Sequence, residues 1–242
     1  MTVQQQLQKD GFAIVNNLYT PEEVNAIIQQ IENTDTGKAN FRKSADLFAI
    51  RQFLKEIPQI FELIFTQKVN KLLSSIMGQH YFVVKSIYFD KPGSSNWYVA
   101  YHQDLTISVD KKTELEGFTN WTQKHNQFAV QPPLQILENI TTIRIHLDDT
   151  DENNGALKVI PGSHLKKIYR PETIDWSVEQ EVDCPVTQGG IMFMKPLTLH
   201  SSGRSTNHKK RRVIHIELSG QELPGNLLWS EKKPVLFLQN EV

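Results

Sequence analysis

The chain has a single cysteine, Cys184, in 242 residues. An intramolecular disulfide framework and a cysteine-rich zinc site are thereby excluded. Such sparse use of cysteine suits a reducing compartment. An excess of charge is also lacking: Lys and Arg number 26, Asp and Glu 27, for a net charge of −1. No basic surface advertises a nucleic-acid partner. No apolar run approaches the roughly 20 residues of a membrane helix. The opening MTVQQQLQKDGF has no basic stretch followed by an apolar one, so no signal peptide is expected. Internal repeats and low-complexity tracts are absent as well. The expectation is a soluble, cytoplasmic protein with a small-molecule substrate, no nucleic-acid or membrane partner, and an oligomeric state that the sequence leaves open. Hydrophobic residues at 39% and charged residues at 22% are ordinary for a globular chain of this size.

What is present falls into two patterns. The first third reads helical. In TPEEVNAIIQQIE, Thr20 is placed to cap a helix, Pro21 takes its first position and Glu23 completes a capping box. Val24, Ile27, Ile28 and Ile31 then form one apolar stripe at helical spacing. ADLFAIRQFLKEI places Leu47, Ile50, Leu54 and Ile57 in a similar stripe, predicting a second helix. Pro58 ends it or opens the next helix, QIFELIF, and VNKLLSSIMG follows with Gly78 as its stop. From Tyr81 the period changes to two. YFVVKSIYFDKPG, WYVAYHQDLTI, TTIRIHLDDT, GALKVIPG, GGIMFM and RRVIHIELS are short, turn-bounded strand candidates of a sandwich or barrel. Residues 110–140 are polar and too long for a simple hairpin loop, which marks a functional or mobile segment. One domain over residues 1–242 is the economical reading, with a helical layer over about 1–80 on a β core over about 81–220.

In YVAYHQDLTI, His102 and Asp104 are two residues apart. On a strand such residues point to the same face, so an imidazole and a carboxylate converge on one point. A shared proton or a bound cation fits that meeting. One H-x-D is a weak signal on its own. A second histidine, His200 in LTLHSSGRS, precedes a pair of arginines that enter a strand, Arg211 and Arg212. Two histidines and one carboxylate are the facial ligand set of non-haem iron(II). That set leaves coordination positions open for a bidentate 2-oxo acid and dioxygen. The acid's far carboxylate then needs a counter-charge, which the planar fork of arginine supplies best.

Four blocks, in order, resemble the phytanoyl-CoA dioxygenase family of iron(II)/2-oxoglutarate oxygenases. QLQKDGFAIVNNLYTPEEVNAI looks like the family's opening, and KSIYFDKPGSSNWYVAYHQDLTI like its first core block. RIHLDDTDENNGALKVIPGSH is similar to its most recognisable stretch, and GGIMFMKPLTLHSSGRS to the block of the distal histidine. The resemblance implies a mainly β fold with flanking helices, a double-stranded β-helix or cupin-like jelly roll. It implies His102, Asp104 and His200 as ligands of iron(II), and Arg211, eleven residues after the distal histidine, as the partner of 2-oxoglutarate, assisted by Ser202. Lys85 matches a position where relatives often place a polar contact to the cosubstrate, and reads equally as a lysine snorkelling from a sheet edge. The implied activity consumes dioxygen and 2-oxoglutarate, releases succinate and carbon dioxide, and hydroxylates an unactivated C–H bond of a small amino-acid-like or lipid-like metabolite. Related halogenases lack the carboxylate ligand, so Asp104 favours hydroxylation, while desaturation and ring formation stay open.

Other residues carry expectations of their own. Arg212 neighbours Arg211 on a strand and is expected to point the opposite way. Arg144 shares a face with His146 and, because a buried arginine needs a partner, reads as either a salt-bridged structural residue, which is the favoured reading, or a contact to the cosubstrate. His164 reads as a turn-stabilising residue; His215, which shares strand parity with Arg211, reads as a satisfied core histidine in preference to a pocket-lining one; His80, His125 and His208 have no assigned role. Trp97, Phe118, Trp121 and Phe128 are offered either as substrate-pocket walls or as loop anchors. The basic run STNHKKRR attracts an anionic substrate or is simply a solvated loop. Three alternatives compete with the oxygenase. They are a non-catalytic jelly-roll binding protein, a cupin-like metalloenzyme that does not use 2-oxoglutarate, and a structural zinc site.

Overall fold

The computed structural model describes residues 1–34, 41–43, 48–94, 97–124 and 127–235. In chain order the helices are α1 (Val3–Asp10), α2 (Pro21–Glu32), α3 (Phe53–Glu56), α4 (Ile60–Ile64), α5 (Gln67–Met77) and α6 (Leu134–Glu138). The strands are β1 (Phe12–Val15), β2 (Phe41–Lys43), β3 (Phe48–Arg51), β4 (Phe82–Lys91), β5 (Val99–His102), β6 (Ile107–Val109), β7 (Thr119–Lys124) and β8 (Gln127–Gln131). They continue as β9 (Ile140–His146), β10 (Leu157–Val159), β11 (Val182–Cys184), β12 (Ile191–Met194), β13 (His200–Ser202), β14 (Arg211–Ser219) and β15 (Lys233–Pro234).

The helix signals act as expected. Thr20 Oγ1 accepts from Glu23 N at 3.3 Å, and Glu23 Oε2 accepts from Thr20 N at 2.7 Å, closing the capping box of α2. Val24, Ile27 and Ile31 face the core. Helix α5 stops at Gly78, whose φ of +83° is left-handed. The stripe from Leu47 to Ile57 is the exception. Ile50, Leu54 and Ile57 are all buried, yet residues 48–51 form a strand, β3, paired to β4 on one side and to β2 on the other, with Ile50 opposite Tyr88. Gln52 then adopts a left-handed φ of 52°, which prevents one continuous helix. The pattern recorded burial correctly, but the sheet's hydrogen bonds decided the conformation. Leu47 itself lies outside the described residues.

Two antiparallel sheets make the jelly roll. The larger runs β1-β12-β9-β14-β4-β3-β2, with β15 also on β4; the smaller runs β11-β10-β13-β5. One face of the larger sheet is apolar. Ile143, Ile145, Phe193, Ile214 and Ile216 pack there against Val24, Ile27, Phe53, Ile64 and Leu73 of the helices. Burying each such side chain contributes about 1.5–3 kcal/mol. The opposite face, turned toward the smaller sheet, carries Lys85, Arg144, Arg211, His215 and Glu217 instead. A sheet spends so much charge on an inner face only where a polar site needs it.

Residues 110–140 are not a long loop. Strands β6, β8 and β7 form a third small sheet, and α6 follows. Phe118, Val130, Ile136 and Leu137 join Ile107, Leu227 and Trp229 in a second hydrophobic cluster. Polar residues between these anchors hid the strands in the sequence. Among the described residues no helix is long and apolar enough to cross a membrane.

Candidate metal centre and cosubstrate pocket

His102 ends β5 and His200 begins β13, and the two are paired across the ladder. Their rings lie 4.3 Å apart between centroids. Asp104 falls just beyond the strand rather than on it. Its N–H donates to Pro196 O at 2.9 Å, which folds the chain back so that its carboxylate still meets both histidines. Gln103, between them, is the anchor. Its amide Nε2 donates to Leu197 O at 2.5 Å and Lys167 O at 2.7 Å, and its Oε1 accepts from Tyr169 N at 2.9 Å. No sequence signal distinguished Gln103 from any other glutamine.

The three side chains present donors suited to a metal. His102 Nδ1 lies 2.9 Å from Ala100 O, and His200 Nδ1 lies 2.9 Å from Thr198 O. A carbonyl only accepts, so each Nδ1 carries the proton and each Nε2 keeps its lone pair. Those Nε2 atoms stand 3.9 Å from Oδ1 and Oδ2 of Asp104 respectively. Such gaps are too wide for hydrogen bonds, but less than twice a metal–imidazole bond of about 2.1 Å. The three ligand atoms lie within 4.8 Å of one another. Burial pushes the His200 imidazole down to about 4, against the pull of Asp104, so it is neutral at pH 7. Burial raises the Asp104 carboxyl, but His200, His215, Lys85 and His102 outweigh it and hold the group well below the usual range. Neutral imidazoles and an ionised carboxylate are the forms that bind metal. The residues therefore fit an iron(II) ion.

A second grouping, Asp104 with His215 and Glu217, is equally compact. His215 is already committed on both sides. Its Nδ1 lies 3.1 Å from Arg144 Nη1 and its Nε2 lies 3.2 Å from Glu217 Oε1. With both ring nitrogens engaged, it has no lone pair to offer. His215 is thus both a satisfied buried histidine and part of the pocket wall.

A cavity of about 230 Å³ opens onto the donors. Arg211 reaches it from β14. Its Nη1 donates to Gly155 O and, at 3.3 Å, to Ser202 Oγ; its Nε is buried with no partner among the described residues. Ser202 Oγ in turn donates to Gly155 O at 2.9 Å. Burial, together with the nearby Arg144 charge, pushes the Arg211 guanidinium down to about 9, still cationic at pH 7. An oriented guanidinium with an orphaned donor fits the far carboxylate of 2-oxoglutarate. Gly155 is the unforeseen partner: its φ is +87°, and a Cβ there would sit 2.8 Å from Gly203 O. Lys85 lines the same cavity, with Nζ 2.7 Å from Glu217 Oε1.

The remaining expectations divide. Arg212 points away, as expected, and Asp148 grips it at 2.8 and 2.9 Å. Arg144 has no salt bridge among the described residues; it lines the cavity, with His215 as its hydrogen-bond partner. His146 Nδ1 lies 2.8 Å from Thr150 Oγ1, outside the cavity lining. His164 Nε2 lies 3.2 Å from Gln8 O and ties its turn to α1. Trp97 lines the cavity, whereas Phe118, Trp121 and Phe128 belong to the second hydrophobic cluster. In the basic run, Lys209 and Lys210 are solvent-exposed while Arg211 and Arg212 are buried. His80 and His208 are exposed, and His125 lies outside the described residues.

A jelly roll with two lone-pair histidines, an ionised aspartate and a buried arginine in one cavity defines the iron(II)/2-oxoglutarate-dependent oxygenases. Within that class, the chain belongs to the phytanoyl-CoA dioxygenase (PhyH) family, whose sequence model matches residues 7–213. It is similar to a phytanoyl-CoA dioxygenase domain-containing protein 1 homolog of Caenorhabditis elegans, with 21% identity over 95% of this chain and 93% of that one. An ectoine dioxygenase of Streptomyces coelicolor is 27% identical over 66% of this chain and 49% of the relative. HygX of Streptomyces hygroscopicus, solved with nickel and 2-oxoglutarate bound, shares the fold with a TM-score of 0.65 at 13% identity, covering 93% of this chain and 92% of that one.

Proposed function

We propose that this oxygenase hydroxylates an unactivated C–H bond of a small metabolite, releasing succinate and carbon dioxide. Iron(II) is held by His102, Asp104 and His200. Arg211 receives the far carboxylate of 2-oxoglutarate, with Ser202 beside it and Lys85 as a further donor. The observation that carries the reading is the meeting, in one cavity, of two histidine Nε2 atoms, an aspartate carboxylate and an arginine whose Nε has no partner among the described residues.

When bound, iron would supply the centre at which dioxygen, the oxidant, turns 2-oxoglutarate into succinate and carbon dioxide with one oxygen atom and the substrate C–H into C–OH with the other. The protein's share is placement. Ala100 and Thr198 carbonyls hold the two imidazoles in one tautomer and orientation. Asp104 keeps its charge and, by filling the carboxylate position, favours hydroxylation over halogenation. Gly155 and Ser202 hold Arg211 in one rotamer, so little freedom is lost when the cosubstrate docks. Ile87, Phe89, Trp97, Val99 and Leu157 line the cavity with apolar surface that excludes water and receives the hydrocarbon part of a substrate. A cavity of about 230 Å³ sits below the roughly 300–1,000 Å³ of typical ligand pockets. Since the cosubstrate takes part of it, an amino-acid-like substrate fits better than a lipid. The helical layer and the jelly roll act as one catalytic domain. A reducing cytosol, which keeps iron ferrous, is the compartment that suits this chemistry.

The test is an anaerobic titration of metal-free protein with iron(II) and then 2-oxoglutarate, following the weak visible charge-transfer band of the chelate. The band is expected in the wild type and absent in His102→Ala. A folded wild type that shows no band would overturn the reading in favour of a binding protein or a metalloenzyme without a 2-oxo acid.

A further inference from the structure

Arg144 lies midway along β9, on the charged inner face of the larger sheet, and is 7% exposed. Its Nη1 lies 3.1 Å from His215 Nδ1, and its Nε, also buried, has no partner among the described residues. No carboxylate lies in ion-pair contact with it among the described residues. It shares the cavity with Arg211, Lys85 and the metal donors. Its charge is felt by both Asp104 and Arg211, attractively and repulsively.

The charges of the filled site do not cancel without something more. Lys85 and Glu217 neutralise each other at 2.7 Å. The dication of the metal and the dianion of 2-oxoglutarate offset each other. Asp104 then balances only one of the two guanidiniums, Arg144 and Arg211. One positive charge is left over, on a pair of arginines that are both buried, where an uncompensated charge is costly. Arg144 is the group that carries it, since Arg211 faces the cosubstrate. His215 fixes how Arg144 is presented. With Nδ1 accepting from Arg144, its Nε2–H donates to Glu217 at 3.2 Å, so the ring is pinned at both ends. The Nε edge of the guanidinium is the part left free.

Resting on the function proposed above, we infer that Arg144 is the anchor for a carboxylate of the substrate: the enzyme oxidises a small monoanionic carboxylic acid and discriminates against neutral analogues. The planar fork suits a carboxylate, which takes two parallel hydrogen bonds. Apolar residues on the same cavity leave the rest of the acid to be bound as hydrocarbon.

The experiment uses the full chain loaded anaerobically with manganese(II) and 2-oxoglutarate, with acetate and acetamide as probes at equal concentration and ionic strength. Acetate, and not acetamide, is expected to raise the melting midpoint of the wild type and to have no such effect on Arg144→Met. Metal-free Arg144→Met is expected to melt no lower than metal-free wild type, because an unbalanced buried charge has been removed. Its dissociation constant for 2-oxoglutarate, read by calorimetry, should stay within about threefold of wild type. Acetate and acetamide acting alike on the wild type would overturn the inference without any variant. A lower melting midpoint of the metal-free variant would make Arg144 a structural buttress. A loss of 2-oxoglutarate affinity of more than about tenfold would make it a second clamp on the cosubstrate. If loaded wild type binds no 2-oxoglutarate at all, the proposed function falls, and this inference with it.

Discussion

His102 and His200 are direct partners across the β5–β13 ladder, and each aims Nδ1 at the carbonyl two residues before it in the chain. The same local device is used twice. It turns two strand residues into two lone-pair donors facing one point, with Asp104 opposite both. Because the strands set the geometry, the site is preformed by the sheet and does not wait for the metal. Removing the metal is therefore expected to leave the protein folded, with an unchanged far-ultraviolet circular dichroism spectrum. Asp104→Ala should lose the iron(II)/2-oxoglutarate band while keeping that spectrum. Unfolding on chelation would instead identify a structural metal.

Gln103 separates the two ligands of the H-x-D and points the other way, into three backbone groups. It positions Asp104 without touching the metal. Gln103→Ala frees the loop and is expected to weaken metal binding about 10–100-fold, the usual cost of losing an outer partner. Calorimetric titration with manganese(II) measures this. Affinity equal to wild type would show that the Asp104 N–H to Pro196 bond is sufficient by itself.

Arg211 and Ser202 differ in what they lose. Arg211→Met removes the charge proposed to face the cosubstrate, which costs about 2–5 kcal/mol for a buried charge pair. The dissociation constant of 2-oxoglutarate should rise at least about 30-fold, with metal affinity unchanged. Ser202→Ala removes one neutral hydrogen bond and should cost about 1 kcal/mol, roughly fivefold. Equal effects from the two variants would contradict the assignment.

The same residues show what a sequence can carry. Ligand spacing, the arginine eleven residues on and the capping box are local; the capping box forms, and His102, Asp104, His200 and Arg211 line one cavity. Burial was legible too: Ile50, Leu54 and Ile57 are all in the core. Whether Ile50 lay on a helix or a strand was not, because the edge of β4 decides it and lies far along the chain. Arg144 shows the same limit for the site. Its strand and face were legible, but its lack of a carboxylate partner depends on every other element around the cavity. Trp97 and Phe118 look alike in the sequence, and only the third sheet separates a pocket wall from an anchor.

Gly155 links the asparagine–glycine turn to the cosubstrate site. Its left-handed φ of +87° and the nearness of Gly203 O leave no room for a side chain. Its carbonyl accepts from both Arg211 and Ser202. Gly155→Ala is expected to lower stability by about 1–3 kcal/mol. It should also weaken 2-oxoglutarate binding, since the turn that holds Arg211 must shift. Denaturant unfolding and calorimetry read the two effects. A destabilised variant with normal cosubstrate affinity would confine the role of Gly155 to the turn.

Glu231 gives the clearest dependence on pH, and it lies on the helix side of the larger sheet, away from the metal donors. Its Oε2 accepts from Ser86 Oγ at 2.5 Å, while Oε1 is buried with no partner among the described residues. Burial pushes the carboxyl up to about 7, although the Ser86 hydrogen bonds and the Lys55 and Lys85 charges oppose the shift. The folded state thus holds a proton that the unfolded chain, with an ordinary value of 4.5, gives up. Where the folded state binds more protons, stability falls as pH rises. The stabilisation is fully present below about 4.5 and is lost as pH climbs through about 7. Over that window the loss from this group is on the order of 3 kcal/mol. Glu231→Gln keeps the shape and cannot ionise. Its advantage over wild type should be small at pH 5 and grow toward pH 8, as measured by denaturant unfolding of the metal-free proteins. A difference that does not change with pH would mean that Glu231 is ionised, and paired, in the folded protein throughout.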